Sequence, residues 1–321
     1  MVDVARLSGV ALSTVSRVVN GDPGARAATV LRVKNAIREL GWEGDELARQ
    51  LRRGESGTLG AAARDIGGSF CRAVERSARH AGLMLLSAST GDIETDEGQV
   101  IRALCRRRVD GLVVEPVGND HAFLGQEIAN GLPVVAIDRP LSGIKTDCVL
   151  SDNAGGIRLA YKHLQASGHR RIGYIGDTET IYTGKVRAAT FRRCAAQNGG
   201  ADQLTATPGT QRAAFRASLD RLLDQESPPT ALITGNAAST IEALLWLGPD
   251  ARGLALVSFD DLEFAALVRP AITVLAQDFE AMGSAAVSLL AARRANAALP
   301  VKKVTVPVTL IARGSGERPP S

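Results

Sequence analysis

Two short helices joined by a tight turn are predicted by residues 3–21, which read DVARLSGVALSTVSRVVNG. Ala5 supplies a small residue where two helices would cross, and Gly9 supplies a residue that tolerates positive φ in the turn. Val15 and Val18, three residues apart, supply the apolar anchors of the second helix. This spacing is typical of a helix-turn-helix.

The face of the second helix opposite its anchors is mostly polar. It carries Leu12, Ser13, Ser16, Arg17 and Asn20, which are candidates for contacts with the bases and phosphates of DNA. Because Ala, Gly and Val are common residues, the spacing by itself leaves an ordinary helical hairpin as an equal alternative.

A third helix is predicted over Thr29–Leu40, with Gly41 as its stop signal. Residues 1–44 are therefore interpreted as one small all-α domain. Residues 45–57 hold a helix-forming segment that ends in the sequence GESG and is too short to be stable in isolation. We interpret this segment as a linker with conditional helicity.

From residue 58 onward, short apolar runs alternate with amphipathic helical windows, a pattern that indicates α/β units with a mainly parallel sheet. The predicted strands are Thr58–Ala63, Leu83–Ser87, Gly111–Glu115, Pro133–Ile137, Ile172–Ile175, Ala231–Thr234, Leu254–Ser258 and Val304–Ile311. This length suits either one barrel or two open sheets, whose ligands bind beyond the carboxyl ends of the strands. The polar, proline-containing segment Gly314–Ser321 is predicted to be disordered.

Composition indicates an ordinary globular protein, with 45% hydrophobic and 22% charged residues. The net charge of +4 permits a polyanionic partner without requiring one. The four cysteines are dispersed and lack metal-ligand spacing, and the sequence shows neither a signal peptide nor an apolar run long enough to span a bilayer. We expect a cytoplasmic, nucleoid-associated protein with no membrane partner, metal or cofactor.

An enzyme is disfavoured by the motifs. The sequence contains no Gly-x-Gly-x-x-Gly, no Walker A sequence and no Gly-x-Ser-x-Gly elbow, and none of its four histidines lies in a catalytic motif. A solute-binding protein for transport is opposed by the helix-turn-helix pattern and by the lack of a signal peptide.

Residues 3–21 closely resemble the start of a regulator of the lactose/galactose-repressor (LacI) family, most specifically in Thr14-Val15-Ser16-Arg17-Val18-x-Asn20. The resemblance implies that the second helix lies in the DNA major groove. It implies that Leu12 and Ser13 occupy the variable base-reading positions. Thr14, Ser16, Arg17 and Asn20 would occupy the more general contact positions.

The linker resembles the hinge helix of the same family through Leu47-Ala48-Arg49-x-Leu51. The resemblance implies that this helix orders on operator DNA and that a leucine enters the minor groove, where an inserted apolar side chain kinks the duplex. Leu51 is the candidate wedge, with Ala48 and Arg52 beside it. A structural alternative is that Leu51 packs a surface helix against the core.

The resemblance extends over nearly the whole chain, for example in Arg107-Arg108-Val109-Asp110-Gly111 and in Ser258-Phe259-Asp260-Asp261. It implies an all-α helix-turn-helix head followed by a periplasmic-binding-protein-like α/β core of two Rossmann-like subdomains at 58–315, with residues 316–321 as a tail. The N-subdomain would comprise about 58–155 plus 279–305, and the C-subdomain about 156–275 plus 306–315.

Six residues are candidates for effector binding in the cleft between these subdomains. They are Arg64, Phe70, Arg187, Asn236, Asp260 and Phe279. The sequence departs from the family pattern at Gly68-Ser69-Phe70-Cys71, where one aromatic ring is missing, and at Asn236-Ala237, where one acceptor is missing. Since Arg64 also stands where the family often has proline, the cleft is expected to favour an acidic ligand.

The resulting hypothesis is a transcriptional regulator, a repressor, that binds a pseudo-palindromic double-stranded operator as a homodimer or tetramer. A small-molecule effector, a sugar or sugar derivative, would control it. The departures in the cleft keep open a regulator with a degenerate pocket that responds to no sugar or to a protein partner.

Overall fold

A computed structural model describes residues 1–19, 22, 24–42, 55–91, 94–199, 204–209, 211–248 and 251–320. The chain divides into two compact units, residues 1–57 and residues 58–321. The first unit is helical and the second is built on two parallel sheets. The expected pairing of a helical head with two Rossmann-like subdomains is confirmed, and the single barrel is excluded.

The described residues of the first unit form three helices: α1 (Val2–Ser8), α2 (Leu12–Val19) and α3 (Ala27–Glu39). Their shared core consists of Val4, Val15, Val33 and Ala36, one or two residues from each helix. Trp42 packs against this core after α3 has ended at Leu40. These side chains, with Trp42, form the hydrophobic core that holds the three helices together.

The first sheet of the second unit has the strand order β11-β5-β4-β3-β1-β2, and every neighbouring pair is parallel. Its strands are β1 (Thr58–Ala63), β2 (Met84–Ser89), β3 (Gly111–Val114), β4 (Val134–Ile137), β5 (Asp147–Ser151) and β11 (Lys303–Val306). Helices α4 (Ser69–His80), α5 (Glu94–Arg106), α6 (Leu124–Ala129) and α11 (Phe279–Ala295) belong to this N-subdomain.

The second sheet has the order β12-β10-β9-β8-β6-β7 and is parallel except for the antiparallel strand β12. Its strands are β6 (Ile172–Ile175), β7 (Thr205–Ala206), β8 (Ala231–Thr234), β9 (Ala255–Phe259), β10 (Thr273–Gln277) and β12 (Val308–Ile311). Helices α7 (Asn153–Ala166), α8 (Tyr182–Gln197), α9 (Arg212–Leu223) and α10 (Ala237–Leu247) belong to this C-subdomain, and a 3-10 turn, Ala251–Gly253, precedes β9.

The chain passes between the two sheets three times, after β5, after β10 and after β11. At the first two crossings an aspartate caps the next helix: Gly155 N–H donates to Asp152 Oδ1 at 2.7 Å, and Ala281 N–H donates to Asp278 Oδ1 at 2.8 Å. The third crossing is at Pro307, which lies between two strands of different sheets. The sequence placed the subdomain boundaries at about 155, between 275 and 279, and at about 305.

The apolar run Val304–Ile311 was predicted as one strand, and this prediction is wrong. The run forms β11 in the first sheet and β12 in the second, separated by Pro307. Proline carries no amide hydrogen for a sheet ladder, which favours a break at this residue. Hydrophobicity alone does not report that the two halves join different sheets.

The predicted disorder of the C-terminal segment is also wrong for its described residues. Ser315 is buried, accepts a hydrogen bond from Thr273 N–H at 2.9 Å and donates to Leu256 O at 2.6 Å. The Glu317 carboxylate accepts from Thr273 Oγ1 at 2.8 Å, and Arg318 O lies 2.8 Å from His169 Nε2. These specific hydrogen bonds hold a polar segment onto the C-subdomain despite its few apolar residues.

Helices α4 and α11 pack together at a glycine. A Cβ atom on Gly283 would lie 2.7 Å from the carbonyl carbon of Ala73 and 2.9 Å from its oxygen. Backbone atoms cannot rotate away as a side chain can. The close approach of the two helices therefore depends on the missing side chain at Gly283.

We expect Gly283→Ala to lower the free energy of unfolding by about 1–2 kcal/mol, because overpacking outweighs the gain in helix propensity. Urea denaturation would measure the loss. The matched control is Gly125→Ala in α6, whose Cβ would meet only Ile144 Cδ1 at 3.9 Å and should be neutral or stabilising. Equal stability of the two variants would contradict the packing argument.

Candidate nucleic-acid interface and effector cleft

The turn between α1 and α2 depends on Gly9. Its φ of 65° lies in the left-handed region, where a residue with a Cβ is strained. Beyond it, Val10 N–H donates to Ala5 O at 3.2 Å and closes the end of α1. The turn therefore has the backbone conformation that the sequence pattern predicted for it.

Helix α2 buries one face and exposes the other. Val15 is fully buried, whereas Leu12 is 47% exposed. Ser13 and Arg17 are exposed, and Thr14 and Ser16 are half-buried. The outer face therefore combines an apolar side chain, hydroxyls and a guanidinium, which are groups that contact base edges and phosphates.

Four of the predicted DNA contacts lie outside the described residues. They are Asn20 after α2 and Ala48, Leu51 and Arg52 in the linker. The hinge helix and its leucine wedge stay predictions.

Each sheet of the core ends in a polar pair at the point where its strand order reverses. In the first sheet Arg64 follows β1 and Glu115 follows β3, and Arg64 Nε donates to Glu115 Oε1 at 2.9 Å. In the second sheet Asp177 lies two residues after β6 and Asn236 two residues after β8, with Asn236 Nδ2 donating to Asp177 Oδ2 at 3.4 Å. Such reversal points form the ligand crevices of open α/β sheets.

Arg187 is the most buried charged group among the predicted effector residues, with only 4% of its surface exposed. Its Nε donates to Asn153 Oδ1 at 2.7 Å and its Nη1 donates to Gly235 O at 2.6 Å. The guanidinium carbon lies 3.6 Å from the centre of the Phe259 ring. These contacts offset the cost of removing the charge from water and fix its position.

Asp260 joins the ends of three elements. Its Oδ2 accepts from Ala237 N–H at 3.3 Å, and its Oδ1 accepts from Gln277 Nε2 at 2.5 Å. The φ of Asp260 is 78°, a left-handed conformation that costs energy for a non-glycine residue. Asn236 in turn caps α10, because its Oδ1 accepts from Ser239 N–H at 2.7 Å.

The Gln277 side chain also carries this network across to the first sheet. It accepts a short hydrogen bond from Ser151 Oγ at the end of β5. Ser151 O accepts from Asn153 Nδ2 at 3.1 Å, and Asn153 holds Arg187. A continuous chain of hydrogen bonds therefore links Arg187 to Asp260 through the crossing between the sheets.

Tyr174 contributes a buried hydroxyl with no hydrogen-bond partner among the described residues. It lies against Gly176 and Gly235, where an added Cβ would come within 2.4 Å of the oxygen. Burial raises the pKa of Tyr174 well above its usual value, so the hydroxyl is neutral. The two glycines make room for this hydroxyl beside the carbonyl of Gly235 that holds Arg187.

The expectation of an acidic ligand stays a prediction, but the geometry weakens its basis. It rested on Arg64 as an extra cation, but Glu115 accepts from both the backbone N–H and the Nε of Arg64. The carboxylates of Asp177 and Asp260 also lie at strand ends of the second sheet. Acidic groups are therefore present beside the arginines in this region.

Phe70 and Phe279, predicted as apolar ligand contacts, are half-buried and pack against the same apolar cluster of the N-subdomain. The structure does not bring them into the hydrogen-bond network of Arg187, Asn236 and Asp260. Sequence reasoning missed Asp177 and Glu115 of the polar pairs, and Asn153 and Ser151 of the network that holds Arg187. All four stand at or directly beyond strand ends, which was the available signal.

Two cavities are lined by none of the predicted effector residues. One, of about 330 Å³, is bordered by β7 and α9, and the other, of about 410 Å³, by α4 and β2. Within the described ranges, no group of His, Cys, Asp and Glu side chains could hold a metal ion. No helix in the described part of the chain is long and apolar enough to cross a membrane.

A buried pair braces the loops that follow β3 and β4. Ser142 N–H donates to His121 Nδ1 at 3.2 Å, so the other ring nitrogen carries the hydrogen and donates to Glu97 Oε2, also at 3.2 Å. The carboxylate further accepts from Val117 N–H at 2.9 Å and Gly118 N–H at 2.7 Å. Burial alone would raise the pKa of Glu97, but these hydrogen bonds outweigh it and lower that pKa.

Comparison with known families gives two matches. Residues 1–44 match the model of bacterial regulatory proteins of the lacI family. Residues 161–316 match a periplasmic binding protein-like domain. A reading head joined to a binding-protein-like core defines a bacterial transcriptional regulator.

The transcriptional regulator PtxS of Pseudomonas plecoglossicida is 33% identical, over 98% of this chain and 94% of the relative. The regulator GalR of Escherichia coli K12 is 32% identical, over 99% of this chain and 95% of the relative. The crystal structure of the Lac repressor dimer bound to operator and the anti-inducer ONPF has the same fold, with a TM-score of 0.83 and 22% identity over 98% of each chain. The chain belongs to the LacI family and is a DNA-binding regulator, not an enzyme.

Acid stability should depend on Glu97. Its lowered pKa means that its contribution is present above the ordinary carboxyl pKa of about 4.3 and is lost as the pH falls through the folded value. We expect Glu97→Gln to lower the free energy of unfolding at pH 7 by about 1–3 kcal/mol. The amide NH2 group of glutamine would face an N–H group that now donates to the carboxylate, so that hydrogen bond would be lost. The stability loss between about pH 5 and 3 should also become shallower.

Chemical denaturation across this pH range tests the prediction. The control is Glu75→Gln, an exposed carboxylate of α4 paired with Arg79, which should keep the wild-type acid dependence. The same acid dependence in Glu97→Gln as in wild type would contradict the assigned role.

Proposed function

We propose that this regulator is a repressor that binds a pseudo-palindromic operator as a homodimer under the control of a small-molecule effector. Two copies of the head would then read two half-sites related by the dimer axis. The effector would be a sugar or sugar derivative held at the strand ends between the subdomains. The protein would act in the cytoplasm, on the nucleoid.

The outer face of α2 is the observation that carries the DNA-binding part of the proposal. Ser13 and Arg17 project from a helix whose opposite residue, Val15, is fully buried. A helix anchored by its apolar face is rigid enough to present these groups to base edges and phosphates. The exposed Leu12 adds an apolar contact of the kind that recognises the thymine methyl group.

The chemistry of the cleft supports a polyhydroxylated effector. Carboxylates at Asp177 and Asp260 accept hydrogen bonds from hydroxyls, the Arg187 guanidinium donates to them, and the amides of Asn153 and Asn236 can do both. A sugar presents alternating donors and acceptors that match such a set. The residues come from ends of several strands and helices, as expected for a ligand crevice.

Control requires that the effector bind the DNA-competent and DNA-incompetent states with different affinity. The network from Arg187 through Ser151 and Gln277 to Asp260 spans the crossing between the sheets. A ligand that exchanges partners with this network would change the relation of the two subdomains. The linker at 45–57 would carry that change to the head.

One observation favours the alternative of a regulator without a sugar effector. Arg187, Asn236 and Asp260 all have hydrogen-bond partners within the protein. A ligand must replace these bonds without leaving a buried group unpaired. If the polar groups of the pocket keep these internal hydrogen bonds, the regulator would respond to a protein partner and not to a sugar.

Selection of bound duplexes from random DNA with the full chain tests the DNA-binding part. We expect a pseudo-palindrome to be enriched. Arg17→Ala should weaken binding of that duplex at least tenfold, since a charged contact contributes about 1.5–3 kcal/mol. Arg38→Ala, which removes the same charge from α3, should change it less than threefold. Failure to enrich any palindrome would exclude the proposal.

Thermal unfolding with neutral sugars, sugar phosphates and sugar acids tests the effector. A true effector at a hundredfold excess over its Kd should raise the Tm by about 5 °C or more. Arg187→Lys should abolish this shift, because an ammonium cannot reach both Asn153 and Gly235. Arg192→Lys on the same helix, paired with Glu179, should keep it. No shift with any sugar class would favour the alternative.

A further inference from the structure

The N-subdomain has an unusually cationic edge. Three consecutive arginines, Arg106, Arg107 and Arg108, end α5 and precede β3, and all three are exposed. Lys145 precedes β5 and Lys302 precedes β11, so both lie at the amino ends of strands in the same sheet, and both are exposed. We call these five side chains the basic edge.

Two acidic groups at this end of the sheet are already neutralised. Asp110 pairs with Arg294 at 3.5 Å and Asp147 pairs with Arg293 at 2.9 Å, and both carboxylates are buried. Among the described residues, no carboxylate lies within salt-bridge distance of the basic edge. Glu127 also lies near this end, close to Cys105. The five cations outnumber this carboxylate, so the edge presents a net positive surface to solvent.

Backbone conformation gives a second, independent observation. Arg108 has a φ of 54°, in the left-handed region that favours glycine or asparagine. An arginine at this position costs more than glycine would on backbone grounds. The position therefore keeps a cationic side chain at a backbone cost, in agreement with the charge of its neighbours.

The basic edge lies where the polypeptide enters the core. Thr58, the first residue of β1, is one residue beyond the head unit, and its carbonyl accepts from Asp110 N–H at 2.7 Å, two residues after Arg108. From Trp42 at the end of the head to Thr58, the chain can span at most about 55 Å. DNA held by the head is therefore tethered within this distance, which raises the local concentration of phosphates at the basic edge.

We infer that the basic edge is a second DNA-contact surface that binds the phosphate backbone of the operator duplex without reading its sequence. The inference rests on the proposed function for the presence of DNA. Exposed cations neutralise phosphates and release condensed counterions, so their contribution appears in the salt dependence of binding. Phosphate contacts position the protein and carry no sequence information.

The test compares the full-length chain with Arg106→Gln/Arg107→Gln/Arg108→Gln by fluorescence anisotropy, on the selected operator and a scrambled duplex, between about 50 and 200 mM salt. Each lost phosphate contact should reduce the slope of log K against log salt by about 0.9, so the slope should fall by up to about 2.7 per chain. Affinity for the two duplexes should fall by the same factor. The lysine triple variant, Arg106→Lys/Arg107→Lys/Arg108→Lys, should keep the wild-type slope.

The matched control is Arg158→Gln/Lys162→Gln/Arg193→Gln, which removes three exposed cations from α7 and α8 of the C-subdomain. It should leave the slope unchanged. An unchanged slope in the triple glutamine variant, or an equal fall in the control, would overturn the inference. If wild type fails to discriminate operator from scrambled duplex, the proposed function fails, and the slopes on the scrambled duplex still decide the role of the basic edge.

Discussion

The hydrogen bond between the Ser151 hydroxyl and the Gln277 side chain joins the two sheets of the core at the place where they exchange strands. Ser151 ends β5 of one sheet and Gln277 ends β10 of the other, and the chain changes subdomain directly after each. Most polar groups discussed for the effector cleft lie at or near a strand end on these sheets, and Arg187 of α8 donates to Gly235 O directly after β8. Movement of one subdomain against the other must strain or break this bond. The polar groups of the cleft are therefore connected by hydrogen bonds to the crossing between the two subdomains.

Each buried charged group in the cleft needs hydrogen-bond partners to offset the cost of removing it from water. Arg187 is held by an amide oxygen, a backbone carbonyl and an aromatic face, and Asp260 is held by an amide nitrogen and a backbone N–H. Removing one partner from such a group costs more than the bond itself contributes, because a buried polar atom is left unpaired. Under the proposed function, an effector would be selected by its ability to replace these partners one for one. The same requirement discourages ligands that merely fill space.

Much of the fold was predictable because its signals are local. The strands Thr58–Ala63, Ile172–Ile175 and Ala231–Thr234 have the predicted bounds, since short buried runs in parallel sheets are nearly continuous in apolar residues. Strands β5, β7 and β10 were missed. The run after Val304 was not divided, because hydrophobicity does not report which sheet a strand joins. Pro307 was the local sign of that break.

The cleft was less predictable because its pairs are distant in sequence. Arg187 and Asn153 are 34 residues apart, Arg64 and Glu115 are 51 apart, and Asn236 and Asp177 are 59 apart. Asn236 and Asp260 were found because ligands bind beyond the carboxyl ends of strands. No pattern in the sequence predicts which carboxylate pairs with which cation. That is why Arg64 suggested an acidic ligand until its partner was seen. Pairing across the sheet edge is decided by strand order, which is a property of the folded core.

The position of β11 and β12 at the end of the chain has a consequence for synthesis on the ribosome. The helical head is encoded by the first 42 residues and has its own core, so it can fold as soon as it emerges. Each sheet, by contrast, lacks its outermost strand until residues 303–311 have been translated. During elongation the nascent chain would thus carry a finished head before either half of the core is closed. A truncated product would retain the head but lose the closing strand of both sheets.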